Sequence, residues 1–275
     1  MLLNFVSAAI ATTAAISTLV LAESTTFDRF FVIVLENTNY SDAMADTYLG
    51  TTLAEKGRLL TSYSAIRHPS QPNYLAMISG STQGNKNDKN VNVNSNTIVD
   101  LLETGGISWG SYQESYPGRC STATSSGTYR RKHNPFISFT NIAKDPARCA
   151  KIVPATQLNK DIAKNSVPSY VFYTPDMNND GHDTDVSYAS NWLEGFLEPL
   201  LTKPIFSNTV FLITFDEDAS DSNQVYAMLV GGPAAPGTTD SNSYNHYSQL
   251  ATVEANWNLG NLGQGDASAS AFTFA

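Results

Sequence analysis

Three short apolar runs in this chain end in, or within a few residues of, acids. Residues 30–35 (Phe-Phe-Val-Ile-Val-Leu) run into Glu36 and Asn37. Residues 170–173 (Tyr-Val-Phe-Tyr) reach Asp176 through Thr174 and Pro175, and Asp180 follows. Residues 210–215 (Val-Phe-Leu-Ile-Thr-Phe) run into Asp216, Glu217 and Asp218. Continuous apolar runs of this kind read as buried parallel strands. In open α/β sheets, ligands gather off the carboxyl ends of such strands. Three acidic strand ends would therefore meet, and carboxylates brought together repel unless positive charge lies between them. A divalent metal ion is the simplest filler.

A second group of residues can act on what such an ion holds. Ser70 stands in His68-Pro-Ser-Gln-Pro-Asn-Tyr74, just ahead of a helix expected over 72–79 and opened by a proline. A hydroxyl there meets free backbone N–H groups and the positive end of the helix dipole, which suits a nucleophilic oxygen and an incoming phosphate. Spacing alone favours the plainer reading, in which Ser70 caps the helix. The four histidines, His68, His133, His182 and His246, all fall in short polar motifs and none on an apolar face. The stretch Asp176-Met-Asn-Asn-Asp-Gly181 is similar to a calcium loop but lacks the glutamate required at its twelfth position.

These residues need a framework. With 41% hydrophobic and 15% charged residues over 275 positions, the chain can bury one large α/β core. Strand-like and helix-like runs alternate from residue 27 onward, with helices expected over 72–79, 97–104 and 185–200. Polar loops are expected at 83–96, 121–128 and 233–243. The expected fold is a mostly parallel central sheet with helices on both faces, in one domain spanning 23–275. A net charge of −9 excludes nucleic-acid backbone binding, which needs a basic surface. Any anionic substrate must then be attracted by local cations.

Residues 1–22 carry no charged side chain and read as a secretory signal peptide cleaved before Glu23. In a secreted chain Cys120 and Cys149 should pair, closing a loop worth about 3 kcal/mol. Asn39-Tyr40-Ser41 is a glycosylation sequon close to Glu36.

Taken together, the segments 32–37, 68–74, 131–136, 175–182, 214–218 and 246–250 resemble the phosphoesterase family. That family contains fungal secreted acid phosphatases and bacterial phospholipases C and lies within the alkaline-phosphatase-like superfamily. The resemblance runs through nearly the whole mature chain, with the motifs in the family's order. It implies a metal site built from Glu36, Asn37, Ser70, Asp216 and Glu217, with Ser70 as the nucleophile that is transiently phosphorylated. It also implies a phosphate pocket lined by Asn73, His133, His182 and His246, with His182 or His246 donating the leaving-group proton. Asp176 and Asp180 would orient those groups or join a second site.

Dinuclear alkaline phosphatases have Asp-His where this chain has Asp216-Glu217, which favours one ion over two. An all-oxygen ligand set suits a hard divalent cation. The implied function is a secreted, metal-dependent acid phosphatase acting on small phosphate monoesters. The alternatives are a phospholipase C-type phosphodiesterase and a non-catalytic secreted binding protein that kept the fold. The sequence shows no amphipathic stretch suited to stable membrane association.

Overall fold

The computed structural model describes residues 26–220 and 222–275. The expected signal peptide and its cleavage site lie outside the described residues. Eight strands form one sheet, in the spatial order Thr238–Asp240, Gly57–Leu60, Ala227–Val230, Thr209–Phe215, Arg29–Leu35, Tyr170–Thr174, Trp109–Gln113, Ile152–Pro154. Every pairing is parallel except those of Ala227–Val230, which runs antiparallel to both neighbours.

The three acid-tipped runs are adjacent strands at the centre of this sheet, with Arg29–Leu35 between the other two. They are apolar on both faces because both faces are covered. Tyr173 packs on Trp192 and Phe196 of helix Val186–Leu201, with Phe31 and Phe211 on the same side. Phe172, the next residue along the strand and so on the opposite face, meets Tyr74 of helix Ser70–Ser79 and Phe136. Trp257 of helix Ser248–Trp257 closes over Phe27 at the edge of the core.

Helix boundaries shift for identifiable reasons. Asp185 is the N-cap of Val186–Leu201, accepting from Tyr188 N at 2.8 Å. Thr97 likewise caps Ile98–Thr104 in a reciprocal box with Asp100. The helix expected from residue 72 begins two residues earlier, at Ser70, which matters for the site. Two expected loops carry short strands. Thr238–Asp240 lies within 233–243 as a parallel edge strand on Gly57–Leu60, and Ser125–Ser126 pairs with Tyr129–Arg130. Such brief polar strands are specified by the neighbour that pairs with them and not by any apolar run of their own. Cys120 and Cys149 form the expected disulfide, with Cα atoms 5.4 Å apart across 29 residues of sequence.

Candidate active site

The sheet register brings the first two acids together. Leu35 pairs with Phe215, so Glu36 and Asp216 leave adjacent strands at the same level and on the same face. Asp216 N donates to Leu35 O at 3.0 Å, and Asn37 N donates to Asp216 Oδ1 at 3.4 Å. The chain turns sharply after Glu36 because Asn37 adopts a left-handed backbone, φ 46°, which asparagine tolerates better than most residues.

Ser70 arrives from the helix on that face. Pro69 occupies the N-cap position, and no side chain caps this helix, so the capping role expected for Ser70 is not what its hydroxyl does. Ser70 is buried as the first helical residue. Its Oγ lies 3.2 Å from Glu36 Oε2, 3.1 Å from Glu217 Oε1 and 3.4 Å from Lys132 Nζ. One turn along the helix, Tyr74 donates to Glu36 Oε1 at 2.7 Å.

Buried carboxylates gather at these strand ends. Glu36, Asp216 and Glu217 are all buried, and Asp216 Oδ2 has no partner. The Asn37 side-chain amide lies between the two glutamates and donates to Glu217 Oε1 and Glu36 Oε2, each at 3.2 Å. Burial, with help from neighbouring carboxylates, pushes the Glu36 carboxyl up to about 7 and the Asp216 carboxyl well above its ordinary range. Burial also raises Glu217. Acids held this far from their ionised form are what a positive charge among them would reverse.

A second set shares Glu36. His133 Nε2 lies 3.2 Å from Glu36 Oε1 and its Nδ1 3.4 Å from Asp180 Oδ2. One ligand atom from each of Glu36, His133 and Asp180 lies within 4.8 Å of the others. Burial lowers His133 to about 4, so it presents a neutral imidazole, the form that binds metals. It stacks on Tyr74, ring centroids 5.0 Å apart, which fixes its plane.

Other expected pocket residues are placed elsewhere. Asn73, expected to line the pocket, spends its amide on the backbone. It accepts from Ile66 N and Arg67 N and donates to Arg67 O, strapping the loop before Ser70. His246 is also corrected to a supporting position. It is fully buried, with Nε2 2.6 Å from Asp216 O and Nδ1 3.1 Å from the Tyr63 hydroxyl. With both ring nitrogens engaged it braces the Asp216 backbone. Asp176 separates from Asp180: its carboxylate accepts from Thr128, Ser115 and the backbone of Asn178 and Asn179. His182 lies 6.0 Å from His133 between ring centroids, with Nδ1 2.8 Å from Asp183 Oδ1.

Several residues of the site were given no role from the sequence, His68 among them although its polar motif was noted. His68 spans two acids, Nδ1 2.6 Å from Glu217 Oε2 and Nε2 3.2 Å from Asp218 Oδ1. Its position two residues before Ser70 was the available signal. Lys132 and Asp88 stand beside Ser70, and Lys132 could have been found as the neighbour of His133. A cavity of about 490 Å³ opens over this cluster, lined by Asn37, His68, Glu217, Asp218, Ala219 and Ser220. A larger groove of about 760 Å³ runs past Leu158, Tyr173 and Phe196. It offers poorer chemistry, because its carboxylates Glu114 and Asp176 are already hydrogen-bonded.

This sheet, with a serine-bearing helix beside acidic strand ends, has the fold seen in proteins of the alkaline phosphatase superfamily. A member of that superfamily from Vibrio parahaemolyticus superposes with a TM-score of 0.61 at 12% identity, over 89% of this chain and 71% of the other. Residues 38–260 match the model of the Phosphoesterase family, and the chain belongs to that family. It is 43% identical over 263 residues to a probable acid phosphatase of Kluyveromyces lactis, and 41% identical over 264 residues to an acid phosphatase of Aspergillus fumigatus. Each alignment takes in 90% of this chain, but the chain spans only 62% and 59% of those relatives.

Proposed function

We propose that this chain hydrolyses small phosphate monoesters as a metal-dependent acid phosphatase, through a phosphoserine on Ser70. The observation that carries the reading is the Ser70 hydroxyl, held at a helix N-terminus between the carboxylates of Glu36 and Glu217. The similarity to two fungal acid phosphatases supports the substrate class. A divalent ion held by Glu36, Asn37, Asp216 and Glu217 would lower the pKa of the Ser70 hydroxyl and offset charge on the phosphoryl group.

The chain's own residues then have defined tasks. Ser70 passes its proton to Glu217, 3.1 Å away. Its oxygen forms a bond to phosphorus as the ester oxygen departs with the bonding pair. His182 supplies a proton to that oxygen. Water then attacks the phosphoserine and gives up a proton to His182, and the Ser70 oxygen leaves phosphorus as it takes its proton back from Glu217, releasing inorganic phosphate. His246 and Asn73 hold the Asp216 strand end and the Ser70 loop in place. One ion in the oxygen-rich set suffices for this scheme, and the Glu36–His133–Asp180 set is the place for a second.

Secretion is part of the proposal. It is supported by the disulfide, which forms in oxidising compartments, and by the run of 22 uncharged residues at positions 1–22. Among the described residues no helix is long and apolar enough to cross a membrane.

The test is turnover of 4-nitrophenyl phosphate with and without a chelator, followed by acid quench and mass spectrometry of the Ser70 peptide. Chelator-sensitive turnover with phosphate on Ser70 is expected. Undiminished activity in chelator with no labelled serine would overturn the mechanism.

A further inference from the structure

Lys132 brings the nearest lysine charge to the nucleophile, and the fold goes to some length to hold it there. Its Nζ lies 3.4 Å from Ser70 Oγ and 3.0 Å from Asp88 Oδ2. Asp88 is itself anchored, because its Oδ1 accepts from Gln71 N at 3.0 Å. The carboxylate thus ties the lysine to the first turn of the helix that carries Ser70.

The backbone of Lys132 is fixed too. It sits in the single turn Arg131–His133. Arg131 on one side bonds Val91 O and Asn92 Oδ1 at 2.9 and 2.7 Å, and His133 on the other stacks on Tyr74. The polar stretch 83–96 therefore presents Asp88 and Asn92 as the support of this turn. The Lys132 side chain is 15% exposed. Burial works against its charge, but Glu36, Asp88 and Asp216 outweigh that and hold the ammonium above its ordinary pKa.

We propose that Lys132 binds the non-bridging oxygens of the phosphoryl group delivered to Ser70, that Asp88 is the positioning residue holding it there, and that this cation selects dianionic monoesters over monoanionic diesters. An ammonium that already reaches Ser70 Oγ reaches the oxygens of a phosphorus bonded to it. A monoester presents one more negative charge than a diester, and the surrounding carboxylates repel that charge. A fixed cation therefore favours the monoester by more. Lysine acts as a point charge without the bidentate geometry of arginine, which suits a group whose oxygens rearrange during transfer. The inference rests on the nucleophile reading of Ser70.

The test measures kcat and KM on 4-nitrophenyl phosphate and bis(4-nitrophenyl) phosphate for wild type, Lys132→Met, Lys132→Arg, Asp88→Asn and Asp88→Glu. Inhibition by inorganic phosphate and thermal midpoints are measured alongside. Lys132→Met should lose about 10²–10³-fold in kcat/KM on the monoester, the usual cost of one transition-state donor, and far less on the diester. Inhibition by phosphate should weaken in step, and Lys132→Arg should recover part of both.

Asp88→Asn should show the same selectivity loss in smaller measure, with Asp88→Glu restoring it. It carries the test by itself if Lys132→Met does not fold. Equal losses on both substrates, or unchanged phosphate inhibition, would overturn the inference. A wild type that labels on Ser70 while its variants lose activity without regard to substrate charge overturns this inference alone. A wild type with no labelled serine overturns the nucleophile reading and this inference with it.

Discussion

Replacing Ser70 by alanine separates chemistry from architecture. Ser70 does not cap its helix, since Pro69 holds that position and no side-chain cap exists. Alanine also adds no bulk at this buried position. What is lost is a hydroxyl that can donate to one of two carboxylate oxygens, Glu36 Oε2 or Glu217 Oε1. A buried acceptor deprived of its donor costs about 1–3 kcal/mol. A chain of this size loses about 2–4 °C of thermal midpoint per kcal/mol, so the variant should remain folded and melt a few degrees lower. Loading with metal should shrink that deficit, because a cation satisfies the same oxygens.

Activity should fall far more steeply. Removing the nucleophile from machinery that acts as a unit has cost on the order of 10⁶-fold in a well-studied serine enzyme, and a loss beyond about 10³-fold is expected here. Steady-state turnover of 4-nitrophenyl phosphate, differential scanning calorimetry and acid-quenched peptide mass spectrometry read the three quantities. Retention of more than a few per cent of activity, or a phosphorylated peptide elsewhere in the chain, would refute the assignment of Ser70.

Three further outcomes follow from the same geometry. Asp216→Asn should drop bound metal toward zero per chain while raising the thermal midpoint of the metal-free protein, since one of several mutually repelling buried carboxylates is removed; unchanged metal content by elemental analysis would exclude Asp216 as a ligand. His182→Ala should slow hydrolysis of alkyl phosphates by about 10²–10⁴-fold and spare 4-nitrophenyl phosphate, whose leaving group departs without a proton; equal losses on both would remove the general-acid role. Glu254, buried and facing Asp266, is pushed up to about 8 by burial first and by that neighbour second. The folded chain therefore keeps a proton that the unfolded chain gives up near its ordinary value of about 4.3. The stability this confers is full below that value and lost as pH rises toward about 8. Glu254→Gln should flatten the fall in thermal midpoint across this window, and an unaltered slope would show that Glu254 does not titrate there.

Much of the site could be read along the chain because strand ends are local features. The runs before Glu36 and Asp216 are apolar at every residue but Thr214, and a strand covered on both faces demands that pattern, so their carboxyl ends were located to the residue. Parallel pairing then placed the two acids side by side. Helix Val186–Leu201 was legible for the same reason, since Ala189, Leu193, Leu197 and Leu200 repeat at helical spacing and are buried. The phosphoesterase motifs marked Ser70 and His133 without any knowledge of their distance.

What sequence could not supply was which polar side chains had already spent their hydrogen bonds. Asn73 lies in the same motif as Ser70 and His246 opens a motif of its own, yet backbone groups and Tyr63 use up their polar atoms. Asp176 and Asp180 are four residues apart, yet one closes a turn while the other faces His133. Lys132 and Asp88 are 44 residues apart in the chain and meet only because separate loops converge on one helix end. Strand and helix identity come from periodic local burial, which a sequence records directly. Satisfaction of a polar atom depends on partners brought from distant segments, and only the folded chain decides that.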